Sequence, residues 1–215
     1  MKQLYIIGGP MGVGKTTVCR ELKALTAPCA FLDGDWCWDM EPFQVTPETT
    51  AMVQENITFL LGQFLRCSAY ETVIFCWVLH QQEIVDSLLR QLPLEGVRVH
   101  GVSLLARPET LKERIGKDVA AGLRSWDVLE RSLQRLPLYE SMSTQKLWVD
   151  GLTPRQAAQR LAALGQEPYG AKKDVQGRLE RPFFIWNRYG SRACRSGNSS
   201  TLRLRIPFKW AMVMP

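Results

Sequence analysis

The chain has no long hydrophobic run. The longest, Val73-Ile74-Phe75-Cys76-Trp77-Val78-Leu79, falls far short of the roughly 20 apolar residues that cross a bilayer. The N-terminal stretch Met1 to Ile7 is too short for a signal sequence and runs directly into Gly8-Gly9. Secretion and membrane insertion are therefore not expected, and the expected location is the cytoplasm. Histidine is scarce, with only His80 and His100, and no two of Cys19, Cys29, Cys37, Cys67, Cys76 and Cys194 are spaced C-x-x-C. A cysteine–histidine zinc site is excluded on that spacing, and the cysteines read as reduced, mostly buried thiols. Internal repeats and low-complexity tracts are also absent.

What is present is a globular balance: 215 residues, 46% hydrophobic and 22% charged. The net charge of +6 is unevenly placed. Residues 1–165 hold 17 Lys+Arg against 18 Asp+Glu, whereas residues 166–215 hold 10 against 3. The body is electrically neutral, so basicity says nothing about its partners; the last fifty residues alone carry the excess. That tail mixes Phe183, Phe184, Trp186, Tyr189, Phe208 and Trp210 with Arg, Gly and Ser in no sustained period. It reads as an appended basic segment, disordered or non-native, and as the one part through which nucleic acid would be bound.

Along the body, short apolar segments alternate with helical patterns. Strands are predicted at 3–7, 29–33, 73–78, 97–105 and 146–149, and helices at 15–25, 47–66, 82–92, 108–121, 126–139 and 154–165. Thr46-Pro47 supplies an N-cap and a proline at the first helical position, and Thr153-Pro154-Arg155-Gln156 is a capping box. Pro137 is expected to interrupt the fifth helix, and Gly165 to stop the sixth. Five short strands alternating with helices predict an α/β domain over 1–165, a parallel sheet covered on both faces.

Gly9-Pro10-Met11-Gly12-Val13-Gly14-Lys15-Thr16 fits G-x-x-x-x-G-K-[ST], with a predicted strand before it and a helix after it. Glycines permit a tight loop whose backbone N–H groups close on phosphate oxygens, and the helix N-terminus adds positive potential. Lys15 supplies a point charge to the β- and γ-phosphates, Thr16 offers a hydroxyl to Mg²⁺, and Thr17 follows it toward the nucleotide. The alternative is an ordinary glycine turn; the strand–loop–helix context argues for a nucleoside triphosphate. Residues 1–165 contain neither D-x-x-G nor N-K-x-D, so a GTPase is not indicated. The third strand runs into Val78-Leu79-His80-Gln81 without an acid, unlike motor and transport ATPases. The acids instead end the second strand, in Phe31-Leu32-Asp33-Gly34-Asp35.

With the loop, the Asp33-Gly34-Asp35 turn and an arginine-bearing segment at about 114–135, residues 1–165 resemble the small P-loop kinases. That group includes shikimate kinase, gluconate kinase, adenylylsulfate kinase and chloramphenicol phosphotransferase. The resemblance implies a five-stranded parallel P-loop fold with a lid, and ATP and Mg²⁺ as cofactors. It implies γ-phosphoryl transfer to a hydroxyl of a small-molecule acceptor by a monomer or homodimer. By the same resemblance Asp33 would hold magnesium and Asp35 would act on the acceptor hydroxyl, or the reverse. Arg114 would stack on adenine, Arg124 would reach the phosphates, and Thr153 would lie beside the base. Lys117, Arg131 and Arg135 are weaker candidates, since charges at helical spacing commonly form a solvated face. Trp36, Trp38 and Phe43 are candidates for an acceptor pocket; Trp77 reads as core and His80 as a hydrogen-bonded surface residue. Two rival readings stay open: a nucleic-acid end kinase anchored by the tail, and an ATP-binding switch module that transfers to nothing.

Overall fold

The computed structural model describes residues 1–166; the basic tail and Cys194 lie outside the described residues. Five strands form one parallel sheet in the order β2-β3-β1-β4-β5: β1 (Lys2–Gly8), β2 (Cys29–Asp33), β3 (Thr72–Cys76), β4 (Val97–Leu105) and β5 (Gln145–Trp148). The central strands explain their own sequences. β1 is buried from Leu4 onward and β3 along its whole length, so both are continuous apolar runs and not alternating ones. The register pairs Ile7 with Cys76 and Asp33 with Cys76, which brings the carboxyl ends of β1, β3 and β2 level. Ligands of open parallel sheets bind beyond such ends.

Six α-helices complete the described chain: α1 (Lys15–Leu25), α2 (Pro47–Arg66), α3 (Gln82–Gln91), α4 (Pro108–Ala120), α5 (Asp127–Ser141) and α6 (Pro154–Gln166). In α2 the residues Val53, Ile57, Leu61 and Leu65 recur every four positions and all are buried. Its start is fixed by Thr46 and Thr49, each side chain accepting the other's backbone N–H. The predicted box at Thr153 forms as well: Thr153 N–H donates to Gln156 Oε1 at 2.9 Å, and Gln156 N–H to Thr153 Oγ1 at 3.2 Å. α1 packs on β2 and β3, α2 on β3, and α5 on β4 and α4.

Three local expectations need correction. Pro137 does not break α5, which continues to Ser141; the proline ring lies at an exposed position, and the helix loses one backbone hydrogen bond there without ending. Gly165 does not stop α6, which includes it and Gln166. Its carbonyl accepts from Arg98 Nη1 at 3.4 Å, tying the helix end to β4. Residues 34–38, read as loop, form a 3-10 helix directly after β2.

Candidate active site

The loop after β1 is shaped by glycines. Gly12 has φ 79°, and a Cβ there would stand 2.6 Å from Ile115 Cγ1, so the loop can pass α4 only without a side chain. Gly14 caps α1 in the left-handed region. Lys15 follows it and turns back over the loop, its ammonium donating to the carbonyls of Gly9 at 3.0 Å and Pro10 at 3.1 Å. Burial lowers the Lys15 pKa, and the charges of Asp35 and Asp33 act in the opposite direction.

The two acids from the β2 turn stand where the sequence puts them. Asp33 is 4% exposed; its Oδ2 accepts from Thr16 Oγ1 at 2.6 Å and its Oδ1 from Asp35 N–H at 3.2 Å. Asp35 reaches solvent at the mouth of the site. Protein atoms crowding its carboxyl, and then the Asp33 charge, raise its pKa, while Lys15, the Trp77 indole and Arg124 favour its charged form. The Thr16–Asp33 contact thus joins the phosphate loop to the acid turn.

Arg124 lies on the connector between α4 and α5, between Gly122 (φ 71°) and the start of α5 at Asp127. Its Nε donates to Asp118 Oδ2 at 2.9 Å, and its charge is felt by both Lys15 and Asp35. Arg114 on α4 donates from Nη1 to the Val13 carbonyl at 2.8 Å, so it lies against the phosphate loop. Lys117 is exposed and bridges Glu113 at 2.7 Å, a solvated helix pair. Thr17 is exposed on α1, and the Thr153 hydroxyl serves the α6 cap. Among the aromatics, Trp38 is buried at 5% and Trp36 is 52% exposed, its ring edge against Phe31; Phe43 is exposed beside Trp38. His80 is not a surface residue: it is 3% exposed, its Nδ1 3.1 Å from the Val78 carbonyl oxygen. Beneath the site the thiols of Cys19 and Cys76 meet. That contact and burial push the Cys76 thiol far above the usual range, which leaves it a neutral packing group.

A family model described as AAA domain matches residues 6–122, more than half of the chain and all of the phosphate loop and acid turn. The chain belongs to that family. A comparison with curated proteins found no match. Among solved structures, this AAA-domain chain is similar to the tunicamycin resistance protein of Deinococcus radiodurans, at 19% identity and TM-score 0.55 over 78% of this chain and 98% of that one. A gluconokinase from Sinorhizobium meliloti 1021 is 20% identical with TM-score 0.54, over 76% of this chain and 94% of that one. A shikimate kinase from Acinetobacter baumannii is 23% identical with TM-score 0.52, over 77% and 93%. The chain therefore has the α/β fold of small P-loop kinases, with a five-stranded parallel sheet. No helix among the described residues is long and apolar enough to cross a membrane.

The AAA-domain sequence did not disclose three further neighbours of the site. Trp77, read as core, is core, but its ring also lies on Gly34 between the two acids: a Cβ on Gly34 would meet Trp77 Cγ at 2.5 Å. Ser132 of α5 donates to the Met11 carbonyl at 3.2 Å, bracing the phosphate loop from a second helix. Asp118 holds Arg124. Each contact joins residues distant in sequence or across a turn, and no local periodicity signals it.

Proposed function

We propose that this protein is a magnesium- and ATP-dependent phosphotransferase that moves the γ-phosphoryl group to a hydroxyl of a small molecule. The observation that carries the reading is the single cluster formed by Lys15, Thr16, Asp33 and Asp35, with Thr16 bonded to Asp33 at 2.6 Å. The kinases among the structural neighbours support the same reaction class.

The donor set suits magnesium. Thr16 and Asp33 offer one hydroxyl and one carboxylate, both hard oxygens, and no group of three or more His, Cys, Asp or Glu side chains forms a cage among the described residues. Magnesium characteristically takes one or two such groups and completes its shell with water and substrate phosphates. When bound, it neutralises charge on the β- and γ-phosphates. The chain's own residues do the rest. The glycine loop and the N-terminus of α1 bind the phosphates, and Lys15 exchanges its two loop carbonyls for phosphate oxygens. Asp35 accepts the proton of the acceptor hydroxyl, and the burial that raises its pKa makes it more basic than an ordinary carboxylate. The acceptor oxygen bonds to the γ-phosphorus as the bridging bond to the β-phosphate breaks, and ADP leaves. Arg124, on the connector that follows α4, balances negative charge during transfer, and Arg114 fixes the loop and flanks the base.

The test is ADP release from MgATP over pooled hydroxyl-bearing metabolites. One pool is expected to raise the rate by two orders of magnitude or more, about the contribution of a positioned general base. A rate indifferent to every pool would instead favour an ATP-binding module that transfers to nothing.

A further inference from the structure

Asp118 lies in the last turn of α4, two residues before its end at Ala120. A carboxylate is locally unfavourable there. The free carbonyls of a helix C-terminus already concentrate negative potential, and that turn favours cations such as the neighbouring Lys117. A residue that works against its own helix marks a place where a longer-range contact outweighs local preference. The contact is with the connector, residues 121–126, and Asp118 holds it twice. Its backbone carbonyl accepts the Leu123 N–H at 2.8 Å, and its Oδ2 accepts the Arg124 Nε–H at 2.9 Å.

This ion pair differs from its neighbours. Lys117–Glu113 and Arg131–Asp127 are spaced i,i+4, each along one helix. Arg124 and Asp118 are six residues apart and meet across the end of α4, where Gly122, at φ 71°, turns the chain back. Both side chains are 36% exposed, so the pair adds little to stability. Its effect is geometric. A guanidinium held through Nε keeps its outer edge, the two Nη groups, for another ligand. Neither Nη of Arg124 has a hydrogen-bond partner among the described residues. The charge acts on both Lys15 and Asp35, so the guanidinium lies within electrostatic reach of the phosphate site. An anchored arginine with an open fork suits a phosphoryl group, whose oxygens accept two parallel N–H bonds.

We propose that Asp118 is the positioning residue for Arg124: it holds Nε so that both Nη groups are free to meet γ-phosphoryl oxygens as charge builds on them during transfer. The proposal rests on the role that the phosphotransferase reading gives Arg124. Asp118 itself touches no reacting atom. Its contribution is to fix the arginine before ATP arrives. A long, half-exposed side chain otherwise loses rotamer freedom when it engages, and a charge already in place needs no reorganisation at the moment of reaction. The Leu123 contact fixes the backbone one residue before Arg124, so main chain and side chain are held from the same point on α4.

The test is a double-mutant cycle on the full chain, read as basal ADP release from saturating MgATP, which needs no acceptor. Asp118→Ala should lower the maximal rate by about tenfold, the scale of one hydrogen bond between charged groups, with KM for MgATP nearly unchanged. Asp118→Glu should restore part of the rate. In an Arg124→Ala background, itself slower than wild type, Asp118→Ala should cost nothing more. The Tm of Asp118→Ala should hold or rise, because removing an acid from the last turn of α4 favours the helix; a merely structural role would lower it. A further readout is independent of turnover. By NMR, the Arg124 Nε–H should be protected from exchange with water in the wild type and should exchange like that of an unpaired arginine in Asp118→Ala. The proposal is overturned if Asp118→Ala keeps or exceeds the wild-type rate, if it costs the same factor with and without Arg124, or if Arg124→Ala is itself silent. The phosphotransferase reading falls on a different observation, ADP release that no acceptor pool raises, and the cycle on the basal rate is read in the same way in that event.

Discussion

Gly34→Ala is the substitution whose cost is read most directly from the structure. The new Cβ would stand 2.5 Å from Trp77 Cγ, 2.8 Å from Cδ1 and 2.9 Å from Cδ2. Favourable carbon contacts begin near 3.5 Å, so the ring or the turn must shift by about 1 Å. Trp77 is 4% exposed and packed within the core, so the ring has nowhere to go without disturbing its neighbours. Overpacking of this kind costs about 1–3 kcal/mol. In a protein of this size each kcal/mol lowers Tm by about 2–4 °C, giving a fall of roughly 2–12 °C. The turn also carries Asp33 and Asp35, and a displacement near 1 Å at a reacting group can cost about a hundredfold in rate. Turnover should therefore fall further than stability alone would require. The assay is thermal and urea denaturation of the wild type, Gly34→Ala, Trp77→Leu and the double variant, with transfer rates alongside. Because the clash needs both side chains, the double variant should be less destabilised than the summed singles by about 1 kcal/mol or more. A Gly34→Ala protein with wild-type Tm and turnover, or strictly additive costs, would refute this packing.

Lys15→Ala should abolish triphosphate turnover while far-ultraviolet circular dichroism stays that of the wild type, since its two hydrogen bonds are to loop carbonyls and not to the core. Asp33→Asn should keep the Thr16 contact in a weaker form and raise the magnesium concentration needed for half-maximal rate; titrating magnesium at fixed ATP checks this. Tyr139 gives a pH prediction. Burial raises its pKa well above the ordinary 10.0, so the folded state keeps a proton that the unfolded chain gives up. Its contribution is whole below pH 10 and is lost as pH rises above it, at up to about 1.4 kcal/mol per pH unit. Tyr139→Phe should flatten this alkaline fall in urea-unfolding free energy relative to wild type, and parallel curves would contradict the assignment.

The fold was legible because parallel sheets announce themselves: β3 is buried along its whole length and so reads as an unbroken apolar run. The phosphate loop and the Asp33-Gly34-Asp35 turn were equally plain, because each places its chemistry within a few consecutive residues. The 3-10 helix at residues 34–38 was not, since five residues are too few to show a period. His80 was misread for a related reason: a polar residue past a strand end gives no sign that the fold will bury it. Pro137 illustrates tertiary packing overriding propensity, for the helix around it buries Ser132, Leu136 and Tyr139 and holds its course. The Trp77–Gly34 contact joins separate elements, so only the folded chain brings its two residues together.

In the proposed reaction Asp35 takes a proton from an acceptor that then receives the phosphoryl group. Its most direct test follows labelled γ-phosphoryl from ATP into a product, identified by mass spectrometry, with the wild type and Asp35→Asn at saturating ATP. The expected product is a phosphate monoester of one small hydroxyl compound, formed by the wild type and slowed by about two orders of magnitude or more in Asp35→Asn, with ATP affinity retained. Label found only in inorganic phosphate with every acceptor, or a product formed equally fast by Asp35→Asn, would contradict it.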